Sequence, residues 1–181
     1  NKMTVVDFYM YETSKEDMST QNINYSYQSK TLTVASAICN DSNINNEGKE
    51  IGDPTEVAFL RYAEKRGLDY KEIREKYDRL SEIPFDSDRK LMSISSLNHI
   101  YTKGAPDVII KRCSTILING IKEPITKRHL DAIEKENQRC ANNGLRVLGF
   151  AYKDYRGNQV TLEDEHDLTF IGLVSLMDPP R

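Results

Sequence analysis

The sequence has few of the residues that build metal centres, disulfide frameworks and membrane spans. Its 181 residues contain no tryptophan, three cysteines and three histidines. Cys39, Cys113 and Cys140 are widely spaced and form no Cys-x-x-Cys pair, which argues against a disulfide framework or a zinc site. The histidines are equally scattered, so we assign no metal ligand. The longest apolar run extends over residues 170–177 and is too short to span a bilayer, so we expect no direct membrane insertion.

Two glycine-rich phosphate-binding motifs are also missing. Neither Gly-x-x-x-x-Gly-Lys-Ser/Thr nor Gly-x-Gly-x-x-Gly occurs, which excludes a P-loop and a dinucleotide-binding fold. No Ser/His/Asp or Cys/His arrangement predicts a nucleophilic site. The net charge of −3 argues against a nucleic-acid partner, which usually needs a basic face. We therefore assign no catalytic residue.

The apolar pattern predicts an α+β fold with an antiparallel β-sheet flanked by helices. Most of the predicted strands follow one another through short turns, which favours antiparallel pairing with helices packed against the sheet. The length suits one domain over residues 1–181. Residues 12–30 are predicted to be a polar surface excursion, and residues 40–52 a loop. The predicted strands are residues 3–11, 80–85, 91–97, 100–103, 116–118, 121–124, 145–155 and 168–177, and the predicted helices are 31–39, 54 to Gly67, 70–77, 106–113 and 126 to Gly144.

Two local signals are clear. Asp53 before Pro54, with Glu56 following, is typical of a helix start with a capping box. Asn119-Gly120 between two short apolar runs predicts a β-hairpin with a type I′ turn.

The stretch from Ile83 to Asp107 carries the main functional signal. Phe85 lies near the end of one predicted strand, and Lys103 ends a nearby strand just before Gly104. An aromatic face beside a lysine at a helix N-terminus could hold a base at one end and a phosphate at the other. The alternative is a core phenylalanine and an exposed lysine, which are the commoner positions of these residue types.

Five motifs in a fixed order span nearly the whole chain and give it a resemblance. The chain resembles the nucleotide-binding (N) domain of type II P-type cation-transporting ATPases, in the branch that includes calcium pumps. The motifs are Gly52-Asp53-Pro54-Thr55-Glu56, Pro84-Phe85 through Asp88-Arg89-Lys90-Leu91-Met92-Ser93, Lys103-Gly104-Ala105-Pro106, Gly144-Leu145-Arg146-Val147-Leu148, and Gly172 to Arg181.

The resemblance implies a role inside a larger enzyme. The chain would bind ATP or ADP and present the γ-phosphate to the phosphorylation domain of an ATP-driven cation pump, with the actuator domain as a further partner. Mg²⁺ would be bound mainly outside this domain. The N-terminal residues resemble the segment that follows the phosphorylated-aspartate motif, and Asp178-Pro179-Pro180-Arg181 resembles the hinge into the phosphorylation domain. The chain would then be a cytoplasmic domain of an integral membrane protein, monomeric by itself and unable to turn over ATP without that aspartate.

The same resemblance assigns roles to residues of the base site. It implies that Phe85 stacks on adenine, that Glu56 faces the purine and that Lys103 borders the nucleotide. It also implies that Gly104 lets the nucleotide approach the backbone closely, and that Leu148 lines the pocket.

On the phosphate side, the resemblance implies that Arg146 reaches the phosphates. Ser87 departs from the pattern, because many calcium pumps carry an arginine there. Arg89 is the candidate substitute.

Each role has an alternative. Glu56 could be only the capping-box partner of Asp53, Arg146 could face solvent on an outer strand face, and Lys103 could be an ordinary exposed lysine. For the whole chain, the alternatives are a regulatory nucleotide-binding module and a protein-interaction module, neither of which delivers phosphate.

Overall fold

The fold is given by a computed structural model that describes residues 2–11 and 27–180. These residues form ten strands, five α-helices and two short 3-10 helices. The strands are β1 (Thr4–Tyr9), β2 (Asn43–Ile44), β3 (Glu50–Ile51), β4 (Ser81–Asp86), β5 (Leu91–Ser96), β6 (His99–Gly104), β7 (Cys113–Ile118), β8 (Ile121–Pro124), β9 (Arg146–Asp154) and β10 (Leu168–Met177). The helices are α1 (Tyr27–Ile38), α2 (Pro54–Lys65), α3 (Tyr70–Lys76), α4 (Pro106–Ile109) and α5 (Lys127–Asn142), and the 3-10 helices are Ile110–Arg112 and Leu162–Asp164.

Eight strands form one sheet, in the order β4-β5-β6-β9-β10-β7-β8, with β1 also paired to β10. Strand β10 pairs with β9 along one edge and shares its other edge between β7, at residues 168–170, and β1, at residues 173–177. The β7–β10 pairing is parallel, and every other pairing in the described sheet is antiparallel. The predicted α+β fold with an antiparallel sheet is therefore confirmed, with the β7–β10 pairing as the exception.

Helices cover both faces of the sheet. Successive side chains of a strand point to opposite faces, so Phe150 packs in one core cluster and Ala151 in the other. Helices α1 and α2 contribute residues such as Leu32 and Phe59 to the first cluster. Residues of α4 and α5, such as Ile109 and Ile133, belong to the second. Burial on both faces explains why β10 is almost continuously apolar.

The predicted hairpin turn and the predicted helix start at Asp53 are also confirmed. Asn119 and Gly120 have φ values of 49° and 83°, as a type I′ hairpin turn between β7 and β8 requires. Asp53 caps α2 by accepting a hydrogen bond from Thr55 N at 2.7 Å, with Pro54 in the first turn. Thr126 caps α5.

Helix α1 begins earlier than predicted, because tertiary contacts hold a polar residue in its first turn. Gln28 is buried and donates from Nε2 to the carbonyl oxygens of Leu117 and Ile171, at 2.7 and 3.0 Å. Its Oε1 accepts a hydrogen bond from Gly120 N at 3.2 Å. The predicted surface excursion is thus wrong at residues 27–30, and its other residues from 12 to 26 lie outside the described ranges.

Two smaller differences are found. The predicted helix over residues 106–113 is a short α4 followed by a 3-10 turn, and the predicted loop of residues 40–52 contains the small β2–β3 hairpin. Within residues 2–11 and 27–180, no helix is both long and apolar enough to cross a membrane.

A buried ion pair ties the loop between β9 and β10 to the β4–β5 hairpin. Arg89 Nε lies 2.8 Å from Glu165 Oε1, and the Glu165 side chain is completely buried. Ser93 Oγ donates to Glu165 Oε2, and Arg89 Nη2 donates to the carbonyl oxygens of Pro84 and Leu91. The guanidinium therefore holds both strands of the hairpin on either side of its turn.

We expect Glu165→Ala to lower the free energy of unfolding by about 3–5 kcal/mol, because it leaves the largely buried Arg89 guanidinium without its counter-charge. Urea denaturation measures the loss. Glu163→Ala is the matched control: Glu163 is exposed in the same loop, and its removal should change stability by less than about 0.5 kcal/mol. Equal losses in the two variants would contradict a structural role for the pair.

Candidate functional site

A cavity of about 370 Å³ opens at the end of the sheet where β4 and β6 finish and β5 and β9 begin. The first turn of α2 forms its opposite wall. The position follows from antiparallel pairing, because neighbouring strands that run in opposite directions finish and start at the same sheet end. The lining residues are Asp41, Asp53, Thr55, Glu56, Phe85, Met92, Lys103, Gly104, Arg146 and Leu148.

Six of the seven binding residues predicted from the sequence line this cavity. They come from α2, β4, β6 and β9, which are distant in the chain, so folding is what brings them together. They are Glu56, Phe85, Lys103, Gly104, Arg146 and Leu148.

Arg89 is the exception, since it is not among the residues that line the cavity. Its guanidinium is held by Glu165 and by the carbonyl oxygens of Pro84 and Leu91. Those partners account for its charge and its planar fork, so the structure gives Arg89 a role in fixing the hairpin.

Phe85 presents an aromatic face to the cavity. Its side chain is 57% exposed, so the alternative of a core phenylalanine is wrong. Strand β4 is at the sheet edge, and its register shifts between Ile83 and Asp86. A proline is tolerated on such an edge, and an irregularity of this kind re-aims the side chains beside it. The local backbone therefore turns Phe85 away from the core.

Lys103 is buried, in contrast to most lysines. It is 6% exposed, so the alternative of an ordinary exposed lysine is wrong. Its Nζ lies 2.5 Å from Glu56 Oε2 and 5.9 Å from the centroid of the Phe59 ring. The ion pair joins β6 to the first turn of α2 beneath the cavity.

Glu56 does not have the capping-box role that was the alternative for it. Its Oε2 accepts hydrogen bonds from Lys103 Nζ and from Asp41 N, the latter at 3.2 Å. Asp53 caps the helix with its own side chain. Oε1 of Glu56 has no hydrogen-bond partner among the described residues, in a carboxylate that lines the cavity.

Gly104 is required by the neighbouring strand. A Cβ at this position would collide with the carbonyl oxygen of Lys90 and with the side chain of Leu91. Close packing of β5 on β6 therefore excludes a side chain, whatever occupies the cavity.

Arg146 and Leu148 are two residues apart on β9 and so share a face. Leu148 is half-buried and packs against the core beneath the cavity. The Arg146 side chain is 62% exposed, and its Nε lies 2.7 Å from Asp178 Oδ1. Arg146 thus faces solvent, as the alternative for this residue predicted. Its side chain also lines the cavity.

Asp41 was not predicted as a lining residue, and Asp53, Thr55 and Met92 were named in the sequence only as parts of motifs. Asp41 lies in the predicted loop, where its Oδ1 accepts a 2.7 Å hydrogen bond from Arg79 Nη1 and its backbone N–H reaches Glu56. No spacing in the sequence indicates these contacts, because the partners are 38 and 15 residues away.

Size does not distinguish this cavity from others. A cavity of about 390 Å³ lies between α2 and the chain segments around Met3 and Pro179. It has no aromatic residue in its lining, and its one carboxylate, Glu50, is paired with both Lys2 and Arg61. The cavity at Phe85 differs by combining an aromatic face, a buried lysine and an exposed arginine.

No metal centre is found in the described ranges, and the thiols of Cys39 and Cys113 are unreactive. They contain no group of three or more His, Cys, Asp or Glu residues that could hold a metal ion. Burial raises the pKa of Cys39 to about 12 and that of Cys113 to about 12, so both thiols stay protonated near neutral pH. The arrangement is suited to binding a ligand with an aromatic ring and negative charge.

Comparison with known proteins identifies the family. The family model described as "P-type ATPase, cytoplasmic domain N" matches residues 28–181. A calcium-transporting ATPase of Listeria monocytogenes is 46% identical over the whole chain, and calcium-transporting ATPase 1 of Lactococcus lactis is 40% identical over the whole chain. The human calcium-transporting ATPase type 2C member 1 is 34% identical over 83% of the chain.

The chain covers 21% of the two bacterial proteins and 16% of the human one. It thus spans about a fifth of the length of these relatives. The match to the family model includes every residue predicted to bind the nucleotide. The chain therefore belongs to the P-type ATPase family and corresponds to its cytoplasmic domain N.

Proposed function

We propose that the chain binds ATP in the cavity at the end of β4, β5, β6 and β9, with adenine stacked on Phe85 and the phosphates directed to Arg146. The observation that carries this proposal is an aromatic side chain that is 57% exposed beside a lysine that is 6% exposed in the same cavity. Each position reverses the usual preference of its residue type, and a nucleotide would use both.

The base end of the cavity is acidic, which suits adenine. Glu56 Oε1 and the Asp41 carboxylate are hydrogen-bond acceptors in the lining. The exocyclic amino group of adenine is a donor, whereas guanine has an acceptor oxygen at the equivalent ring position. Lys103, held by Glu56, borders this end, and the stack on Phe85 would contribute about 1–3 kcal/mol.

The phosphate end is open. Arg146 is exposed at the mouth, and its planar fork matches phosphate oxygens. Because no glycine-rich loop wraps the phosphates, they would project from the domain. Mg²⁺ is commonly held through substrate phosphates and only one or two carboxylates, so in this proposal it is bound mainly outside the chain. A stack and a few hydrogen bonds of about 1 kcal/mol each correspond to dissociation constants between about 1 μM and 1 mM.

In the complete protein, the domain would present the γ-phosphate to an aspartate of the phosphorylation domain, and the actuator domain would be a further partner. The names of the relatives favour calcium as the transported ion. In this proposal residues 1–181 are one domain of the pump, joined to the rest through the hinge at Asp178-Pro179-Pro180-Arg181. The domain by itself would be a monomer that binds ATP without hydrolysing it.

Phe85→Ala should weaken binding of both ATP and adenosine by about 1–3 kcal/mol, because it removes the stacking surface for the base. Isothermal titration of the 181-residue chain with the two ligands measures the change. Leu97→Ala is the control, since Leu97 is similarly exposed, at 62%, and does not line the cavity.

Failure of the wild-type chain to bind ATP would contradict the proposal and favour a protein-interaction module. Steady hydrolysis by the purified chain would contradict its role as a carrier. If the chain binds ATP but the complete protein contains no aspartate that becomes phosphorylated, a regulatory module would be favoured.

The Lys103–Glu56 ion pair should contribute separately to the stability of the fold and to the affinity for ATP. Lys103→Met alone should lower the free energy of unfolding by about 3–5 kcal/mol, because the Glu56 carboxylate loses its buried partner. The double variant Lys103→Met/Glu56→Gln should recover most of that stability, since a neutral pair costs little to bury. ATP binding should stay weaker than in the wild type in the double variant, because the Lys103–Glu56 ion pair that borders the base is gone.

Urea denaturation and ATP titration of the same samples test this separation. Recovery of ATP binding together with stability would mean that the ion pair acts only on the fold.

Arg146→Ala should weaken ATP and ADP binding several-fold, by about 1 kcal/mol, because the arginine contact to phosphate is near the surface and screened by salt. Adenosine binding should stay nearly unchanged. The control is Arg156→Ala, which removes an exposed arginine from the loop after the opposite end of β9. An equal loss for adenosine and ATP would show that Arg146 supports the base site or the fold.

A further inference from the structure

Arg146 already has a partner at the mouth of the cavity. Its Nε lies 2.7 Å from Asp178 Oδ1, and the two side chains are 62% and 51% exposed. The sheet sets this contact: Arg146 begins β9 opposite Leu176, and Asp178 is the residue after β10. The position of the pair therefore follows from the β9–β10 register.

A nucleotide phosphate and the Asp178 carboxylate can each bind the guanidinium of Arg146. Both are anionic acceptors that match one edge of the guanidinium. An exposed ion pair is weak in water, whereas a polyphosphate carries several negative charges. The two anions also repel each other at short range. A phosphate that reaches the Nε edge of Arg146 must therefore displace Asp178.

We propose that Asp178 is a positioning residue that holds Arg146 when the cavity is empty and competes with the nucleotide phosphates for it. This inference rests on the proposed function, because it requires Arg146 to bind phosphate. Occupation of the cavity releases the Asp178 carboxylate. By thermodynamic reciprocity, phosphate binding weakens the Arg146–Asp178 contact by the same factor by which that contact weakens phosphate binding.

Release of the Asp178 carboxylate affects the residues that follow it in the chain. Pro179 and Pro180 have a fixed φ and restrict the residue that precedes each of them, so the segment is stiff. Pro179 also lines the neighbouring cavity beside Met3 and Gly52. The side chain that the nucleotide displaces is thus the one that anchors the start of this stiff segment to the sheet.

The competition is tested by whether Asp178→Asn raises or lowers the affinity for ATP and ADP. Asp178→Asn should tighten binding of ATP and ADP about two- to five-fold, the range that loss of a competing exposed ion pair allows, and leave adenosine unchanged. In an Arg146→Ala background the same substitution should have no effect on any of the three ligands. Added NaCl should reduce the gain in the single variant.

Asp154→Asn is the matched control for charge. Asp154 is exposed at the far end of β9 and pairs there with Lys122 and His99. Its neutralisation removes one negative charge, as Asp178→Asn does, but at a position about 25 Å from Arg146 along β9, at about 3.3 Å per residue. It should therefore not alter nucleotide binding.

Isothermal titration of the wild-type chain and the four variants, with thermal unfolding to show that each is folded, separates the outcomes. Weaker or unchanged ATP binding in Asp178→Asn would overturn the inference, because Asp178 would then assist Arg146 or ignore it. An equal gain in the Arg146→Ala background would also overturn it, because the effect would be general charge repulsion. Absence of ATP binding by the wild-type chain would instead overturn the proposed function on which the inference rests.

Discussion

The buried ion pair between Lys103 and Glu56 is the interaction on which the site depends. Neither charge could be buried alone, since an unpaired ion in the interior costs several kcal/mol. The pair fixes the first turn of α2 against β6, and the same carboxylate holds the backbone N–H of Asp41. Helix, sheet and loop are thus brought to one point by a single carboxylate oxygen, and the cavity is the space left above it.

A second buried ion pair complements the first on the opposite face of the same strands. Met92 and Ser93 on β5 are paired with Lys103 and Thr102 on β6. Because neighbouring residues point to opposite faces, Lys103 meets Glu56 on one side while Ser93 meets Glu165 on the other. The two contacts hold the β5–β6 ladder from both sides. The second pair also fixes the β4–β5 hairpin, which carries the exposed Phe85, because Arg89 donates to the carbonyl oxygens of Pro84 and Leu91.

The sequence predicted the fold well where a single local cause decides the structure. Strand and helix patterns, the Asn119-Gly120 turn and the Asp53 cap all depend on neighbours within a few residues, and they are confirmed. Gln28 was misread because its burial depends on carbonyl groups 89 and 143 residues away. No local pattern marks a glutamine as a core residue.

The candidate site was predicted through ordered motifs, and the individual positions were less predictable. Exposure of Phe85 depends on an irregularity in an edge strand, and burial of Lys103 on a glutamate from a distant helix. Arg89 was expected at the phosphates because it lies near a position where an arginine was missing. Its actual partner, Glu165, is 76 residues further along the chain, and the sequence gives no sign of that pairing.

The pairing of β1 with β10 sets the order in which the domain can be completed. Thr4 lies opposite Met177, so the first of the ten described strands of this domain pairs with the last of them. Closing so long a loop costs only slightly more entropy than closing a medium one, but contacts between distant residues slow folding. Until β10 has been synthesised, β1 lacks the strand with which it pairs, and an exposed strand edge is prone to pair with another chain. During synthesis of this domain, β1 is therefore the described strand that remains open to pairing with other chains for the longest time.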